Sequence, residues 1–147
     1  MLFELERCGN KMRVYALSED IYLHYNDLNT WEINIKNENF EINILNHGVI
    51  LSLLPFLEVG REKIIEKIGD LQKWLVFPEI KLIEAGFLIG SEYWVDLSLT
   101  WLKESNPMNF DFFSEYLNQV FSNKVRYSQK VRHKAKKILK MINHKNF

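Results

Sequence analysis

The sequence has a single cysteine, Cys8, among 147 residues, so no disulfide can form within the chain. The longest apolar stretch, Val49–Leu57, spans nine positions and includes Ser52 and Pro55, whereas a membrane-spanning helix needs about 18 apolar residues. The first residues also lack the basic segment that begins a signal peptide. These absences exclude a disulfide-stabilised scaffold and predict a cytoplasmic protein without a membrane span.

The sequence also lacks any recognisable grouping of catalytic or metal-binding residues. Cys8 has only Arg7 as an adjacent cation, which favours a structural thiol over a nucleophile. His24 has Asp20 and Asp27 nearby, but their spacing matches no metal motif, and the scattered glycines form no phosphate-binding loop. We therefore predict no enzyme activity, cofactor or metal. A hydrolase would need a pocket that gathers His24 with carboxylates.

Acidic side chains are absent from Asn123–Lys145, which carries nine of the nineteen Lys and Arg residues. Residues 1–120 hold the other ten cations against all nineteen carboxylates, a formal charge of −9. The neutral chain therefore combines an acidic body with a basic tail. This separation of charge favours a binding protein.

The basic tail has the pattern of an amphipathic helix over residues 128–143, with Ser128 as its N-cap. One side is apolar, with Val131, Ala135, Ile138, Leu139 and Ile142. Lys130, Lys134 and Lys137 lie on the remaining surface. Either the apolar stripe packs on the body, which neutralises the basic face, or the cations contact a nucleic acid or an anionic membrane.

Residues 1–45 predict a small antiparallel sheet. Apolar and polar residues alternate in Trp31–Ile35 and Phe40–Ile44, and the polar residues 36–39 fit a hairpin connection. The other predicted strands are Phe3–Glu6, Met12–Leu17 and Ile21–Tyr25, and the predicted turns are Gly9-Asn10, 18–20 and 26–29.

Residues 46–147 predict helices with short joints. Val49–Leu57 is one candidate, which Pro55 bends or ends. The strongest pattern is Glu62–Val76, where Ile64, Ile68, Leu71 and Leu75 share one face. Segments 78–104 and 108–142 read as two helical hairpins. We predict an α+β fold in a single domain, 1–147, with an N-terminal antiparallel sheet and a C-terminal bundle of helical hairpins. Six aromatic residues are candidates for its core: Trp74, Phe87, Trp94, Trp101, Phe113 and Phe121.

Carboxylates spread over the body give it a negative field that would attract a basic partner. Tyr93 and Trp94 adjoin Glu92 and Asp96, and an aromatic pair beside carboxylates is typical of an interface hot spot. The candidate partner-binding residues are Asp20, Asp27, Glu84, Glu92, Tyr93, Trp94 and Asp96.

Two helical segments carry a family resemblance: Tyr93-Trp94-x-x-Leu97-x-Leu99-x-Trp101-Leu102 and Ser128-Gln129-Lys130-x-Arg132-His133-Lys134-Ala135. They resemble the helical half of immunity proteins from contact-dependent inhibition and related polymorphic-toxin systems of bacteria. The resemblance implies a protein that binds a cognate toxin domain, in many cases a nuclease, and blocks its active site stoichiometrically. It transfers no functional residue.

We therefore expect an immunity protein that acts as a monomer or small homo-oligomer. The alternative is a nucleic-acid-binding regulator that uses the basic helix, with Lys130, Lys134 and Lys137 as the contacts.

Overall fold

The computed structural model describes residues 4–8 and 11–145, with side chains from 11 to 143. Within these residues an antiparallel sheet precedes a set of helices, which confirms the predicted α+β class. The predicted Gly9-Asn10 turn and the Cys8 side chain lie outside the described residues.

The sheet is a five-stranded antiparallel meander in which each strand pairs with the next one along the chain. Its strands are β1 (Glu4–Cys8), β2 (Lys11–Tyr15), β3 (Ile21–Tyr25), β4 (Trp31–Ile35) and β5 (Glu38–Phe40). The prediction is therefore confirmed without change for β3 and β4. Alternate residues bury one face of the sheet, as side-chain period 2 requires: Met12, Val14, Leu23, Tyr25, Trp31 and Ile33.

The last hairpin differs from the prediction. Its turn is the two residues Lys36 and Asn37, which have φ of 50° and 69°, and Ile35 pairs directly with Glu38. Two successive positive φ values match the right-handed twist of the flanking strands, and Asn tolerates that conformation. The Oδ1 atom of Asn34 also accepts a hydrogen bond from the Asn37 N–H at 3.1 Å. The predicted strand Phe40–Ile44 is therefore wrong beyond Phe40.

Seven α-helices follow the sheet in the described residues. They are α1 (His47–Val59), α2 (Arg61–Ile68), α3 (Leu71–Leu75), α4 (Glu79–Ile89), α5 (Glu92–Glu104), α6 (Ser114–Ser122) and α7 (Gln129–Lys145). Two short 3-10 turns, Pro107–Asn109 and Asp111–Phe113, connect α5 to α6. None of the described helices has the length and apolar character needed to cross a bilayer.

Pro55 lies inside α1 and does not end it. A proline in a helix interior costs about 3 kcal/mol because it removes one backbone hydrogen bond and crowds the preceding turn. On both sides of Pro55 the helix buries large side chains, among them Leu53, Phe56 and Leu57, and each such burial contributes about 1.5–3 kcal/mol. The buried side chains therefore outweigh the local cost.

The predicted helix Glu62–Val76 is interrupted at Gly69 and Asp70. Gly69 has a left-handed φ of 62° and ends α2, while the Asp70 side chain caps α3 by accepting hydrogen bonds from the N–H groups of residues 72 and 73. Ile64 and Ile68 are fully buried, but Leu71 and Leu75 are 70% and 72% exposed. The predicted apolar face is therefore buried at Ile64 and Ile68, but the prediction is wrong for Leu71 and Leu75, which are exposed to solvent.

The chain divides into two compact units, Met1–Ala85 and Gly86–Phe147, and the division falls within α4. By sequence, unit 1 has nine Lys and Arg against fourteen carboxylates, a formal charge of −5. Unit 2 has ten against five, a formal charge of +5. The charge separation seen in the sequence therefore follows the structural division. The single domain predicted from the sequence stays a prediction.

Unit 2 buries four of the five residues predicted for the apolar stripe of α7, since Val131, Ala135, Ile138 and Ile142 are at most 7% exposed. The fifth, Leu139, is half-buried. Ser128 Oγ accepts the Val131 N–H at 3.4 Å, which is the expected N-cap. Of the six aromatic core candidates, Phe87, Trp101 and Phe113 are buried, and Trp74 and Trp94 are half-buried. Phe121 is 38% exposed, so its assignment to the core was wrong.

We expect Gly69→Ala to lower the free energy of unfolding by about 1–2 kcal/mol, because an alanine Cβ is disfavoured at a left-handed φ. Gly69→Asn is the matched control, and it should lose less because asparagine tolerates this conformation. Denaturant unfolding measures both variants. Equal losses for Ala and Asn would show that backbone conformation is not the cause.

Candidate functional site

The predicted partner-binding acids of unit 1 are Asp20, Asp27 and Glu84, and they lie in different environments. Asp20 and Asp27 are exposed in the turns that precede and follow β3, and Asp27 forms an ion pair with Lys11 at 3.5 Å. Glu84 is only 6% exposed, so the interior position of its side chain argues against a direct contact with a partner. Two of the three therefore remain accessible to a partner.

Glu92 on α5 holds the start of α7. Its Oε1 atom accepts a hydrogen bond from the Ser128 N–H at 2.6 Å. Hydrogen bonding from Ser128, with a contribution from the charge of Lys130, lowers the pKa of Glu92. The carboxylate therefore accepts a hydrogen bond from one of the N–H groups that have no partner within the helix. Its negative charge also interacts favourably with the positive end of the α7 dipole. In this structure Glu92 therefore stabilises the N-terminus of α7.

Asp96, one turn further along α5, forms an ion pair with Lys134 at 2.6 Å. The same ammonium group donates a hydrogen bond to Thr100 Oγ1 at 3.2 Å. The sequence assigned Asp96 and Lys134 to two different contact surfaces, one acidic and one basic. The structure instead joins them, and the basic helix packs within unit 2 through this pair and its apolar stripe.

Tyr93 and Trp94 form an edge-to-face pair, with ring centroids 4.9 Å apart. Tyr93 is 56% exposed and Trp94 is half-buried. Lys130 and Lys137 are exposed on α7. These four side chains remain accessible, but the carboxylates that the sequence grouped with the aromatic pair are engaged with α7.

An exposed aliphatic surface on α3 was missed from the sequence. Leu71, Leu75 and Val76 are 70%, 72% and 49% exposed, and we refer to them as the α3 leucine face. The signal was the pair Gly69-Asp70, since a glycine C-cap followed at once by an Asp N-cap begins a new helix with a new phase. Leu71 and Leu75 continue the apolar period of Ile64 and Ile68 in the sequence, which is why the pattern predicted one shared buried face.

Unit 1 holds the α3 leucine face in place from behind. The indole Nε1–H of Trp31 donates to the backbone carbonyl of Lys73 at 2.9 Å, which ties α3 to the sheet. Phe77 packs edge-to-face on Trp31 at 5.3 Å and stacks on Trp74 at 5.0 Å. The Asp70 cap and its ion pair with Lys73 at 3.1 Å fix the first turn. The backbone that carries the exposed leucines is therefore tied to the sheet and capped at its first turn.

Two cations contact aromatic rings near α3. The Arg61 guanidinium lies 5.3 Å from the ring centroid of Trp74 and also pairs with Glu79. Lys73 Nζ lies 5.3 Å from the ring centroid of Tyr25. Such cation–π contacts contribute about 0.5–2 kcal/mol each. These contacts help to hold α3 against unit 1, while Leu71 and Leu75 stay exposed.

A shallow groove continues the α3 leucine face along the sheet. Val76 belongs to both surfaces, and the groove also includes Leu28, which is 81% exposed, and the carboxylates of Glu32 and Glu41. Lys81 is the cation of the groove lining. We call this the acidic groove. It combines aliphatic surface with net negative charge on unit 1.

His24 lies in β3, opposite Arg13 on β2 and Glu32 on β4. Its Nδ1 atom has no hydrogen-bond partner among the described residues. Burial, and then the nearby Arg13 cation, lower the pKa of His24 below its usual value of 6.5. Within the described residues no group of three or more His, Cys, Asp or Glu side chains is placed to hold a metal ion.

The Asp96–Lys134 pair can be measured with a double-mutant cycle of Asp96→Asn and Lys134→Gln. Both side chains are about one-third exposed, so we expect a coupling free energy of only about 0.5–1 kcal/mol that decreases as salt screens the charges. A cycle of Asp96→Asn with Lys137→Gln is the control and should give a coupling near zero. Equal coupling in the two cycles would contradict a specific pair.

His24 makes stability depend on pH. Because its folded pKa lies below 6.5, the unfolded chain binds more protons in this range, and the free energy of unfolding should decrease as pH falls below about 6.5. His24→Gln should reduce the slope of unfolding free energy against pH between about pH 7 and 5. Chemical denaturation at several pH values measures that slope. An unchanged slope would contradict the assignment.

Comparison with known proteins gives no match to a family model, to a curated protein sequence or to a solved structure.

Proposed function

We propose that this protein is an immunity protein that binds a cognate bacterial toxin domain and inhibits it by covering its active site in a 1:1 complex. The observation that carries the proposal is the α3 leucine face, which is anchored to the sheet beside the acidic groove of unit 1. The proposal locates the protein in the cytoplasm and assigns it no bond chemistry.

The α3 leucine face has the properties of an interface anchor. Burying an exposed leucine contributes about 1.5–3 kcal/mol, and Leu71 and Leu75 expose more than two-thirds of their surface. Their support by Trp31 and Asp70 means that little conformational entropy would be lost on binding. An apolar centre with a polar rim is the usual anatomy of a protein interface.

The charge of unit 1 favours a basic partner. Glu32 and Glu41 line the acidic groove, Asp20 and Asp27 are exposed in turns of the sheet, and the unit carries a formal charge of −5. A nuclease domain presents cations to phosphates, so a negative inhibitor surface would attract it and accelerate association at low salt. Tyr93 and Trp94 on unit 2 remain candidates for a further contact, whereas Glu92 and Asp96 are occupied by α7.

The proposal predicts that a neighbouring gene encodes the cognate toxin domain, and the test uses the full chain together with that domain. The full chain should protect cells against that domain and bind it at 1:1 stoichiometry. Leu71→Ala combined with Leu75→Ala should weaken binding by about 30-fold or more, since hot-spot truncations cost about 2 kcal/mol or more. Isothermal titration and a cell-survival assay measure the two effects.

Leu17→Ala combined with Leu88→Ala is the matched control, because these leucines are also exposed, at 55% and 45%, but lie outside the α3 leucine face. The control should bind within about threefold of the wild type. Wild-type affinity in the Leu71/Leu75 variant would exclude this surface as the contact. Failure of the unaltered chain to bind or inhibit that toxin domain would overturn the function itself.

A further inference from the structure

The outward side of α7 carries a strip of three lysines and one histidine. His133, Lys136, Lys137 and Lys140 are all exposed, and their spacing of i, i+3, i+4 and i+7 places them together, opposite the buried stripe. We refer to these four residues as the outer strip. It extends about 10 Å along the helix at 1.5 Å per residue.

The outer strip differs from the surface predicted from the sequence. Lys134, one of the three cations named there, is turned toward α5 and is engaged by Asp96 and Thr100. Lys130 lies on the same flank, close enough to Glu92 to contribute to lowering its pKa. The carboxylates of α5 therefore neutralise one flank of α7 and leave its outward side positive.

The charges of the outer strip have no acidic partner within the described part of unit 2. No described carboxylate forms an ion pair with Lys136, Lys137 or Lys140. Unit 2 as a whole has ten Lys and Arg against five carboxylates. Positive charge is thus concentrated on a surface that remains open to an anionic partner.

An aromatic ring borders the outer strip. Phe121 on α6 is 38% exposed, and Lys136 Nζ lies 5.7 Å from its ring centroid. An accessible ring at the border of a basic surface is an arrangement with which proteins bind single-stranded nucleic acid, since the cations follow the phosphates and the ring stacks on a base. Base stacking of this kind contributes about 1–3 kcal/mol.

The burial of α7 disfavours a membrane as the partner. An amphipathic helix binds a bilayer by inserting its apolar face, but here Val131, Ala135, Ile138 and Ile142 are buried within the protein.

We propose that the outer strip binds the phosphates of single-stranded nucleic acid and that Phe121 stacks on a base beside it. This activity lies beyond the inhibition of a toxin and uses residues of unit 2 that the proposed toxin contact does not need.

The experiment measures binding of the full chain to a fluorescent 20-nucleotide single strand, to the corresponding duplex and to anionic phospholipid vesicles, each over a series of salt concentrations. Lys136→Gln, Lys137→Gln and Lys140→Gln together should reduce the slope of log affinity against log salt by about 2, since each phosphate contact on a single strand contributes about 0.7. Phe121→Leu should weaken single-strand binding about fivefold or more at an unchanged slope.

The charge-matched control is Lys36→Gln, Lys63→Gln and Lys67→Gln, which removes three cations from unit 1 and should leave the salt slope within about 0.3 of the wild type. Circular dichroism confirms that each variant is folded. An equal loss in the control would show that only net charge matters and would overturn the site. Absence of single-strand binding at low salt, or binding to vesicles alone, would overturn it as well.

Discussion

The hydrogen bond from the indole of Trp31 to the carbonyl of Lys73 is the contact that ties α3 to the sheet of unit 1. It joins a strand near the middle of the sheet to a helix of five residues, which is too short to be stable alone. Phe77 and Tyr25 both contact the indole, each with its ring centroid 5.3 Å away, so the side chain that holds the α3 backbone is itself packed. Because the backbone is fixed, its leucines can face outward without loss of helical structure.

In unit 2, carboxylates of one helix contact and stabilise a neighbouring basic helix. Helix α5 supplies Glu92 to the N-terminus of α7 and Asp96 to Lys134, so the two carboxylates stabilise the basic helix at one flank. The opposite outcome, in which all lysines of α7 were paired, would need more acids than unit 2 contains. An excess of cations on the outward side is therefore a direct result of where the carboxylates are placed along the chain.

The sequence predicted the periodic elements well, because burial enforces a period. Strand β4 alternates apolar and polar residues, and the stripe of α7 repeats apolar residues at intervals of three and four, so each pattern identifies one face. Errors arose where a local backbone conformation overrides the period. At Lys36-Asn37 two positive φ values shorten the turn, and at Gly69-Asp70 a cap pair resets the helix phase.

The candidate sites were less predictable, since they depend on which charges meet in three dimensions. Asp96 and Lys134 are 38 residues apart in the chain, and no sequence period indicates that they pair. Glu84 lies in α4 among apolar neighbours in the sequence, and its burial follows from the helix phase, which could have been used to exclude it. To predict the α3 leucine face, the Gly69-Asp70 cap pair would have to be recognised within an apolar pattern that continues across it.

The three-residue length of β5 has a consequence for behaviour at high concentration. An exposed strand edge offers unpaired N–H and C=O groups to strands of other molecules, and long flat edges promote aggregation. Here the chain leaves the sheet after Phe40, although the alternation of apolar and polar residues continues to Ile44. A foreign strand would therefore find only a few backbone groups along this edge, which disfavours edge-to-edge pairing there.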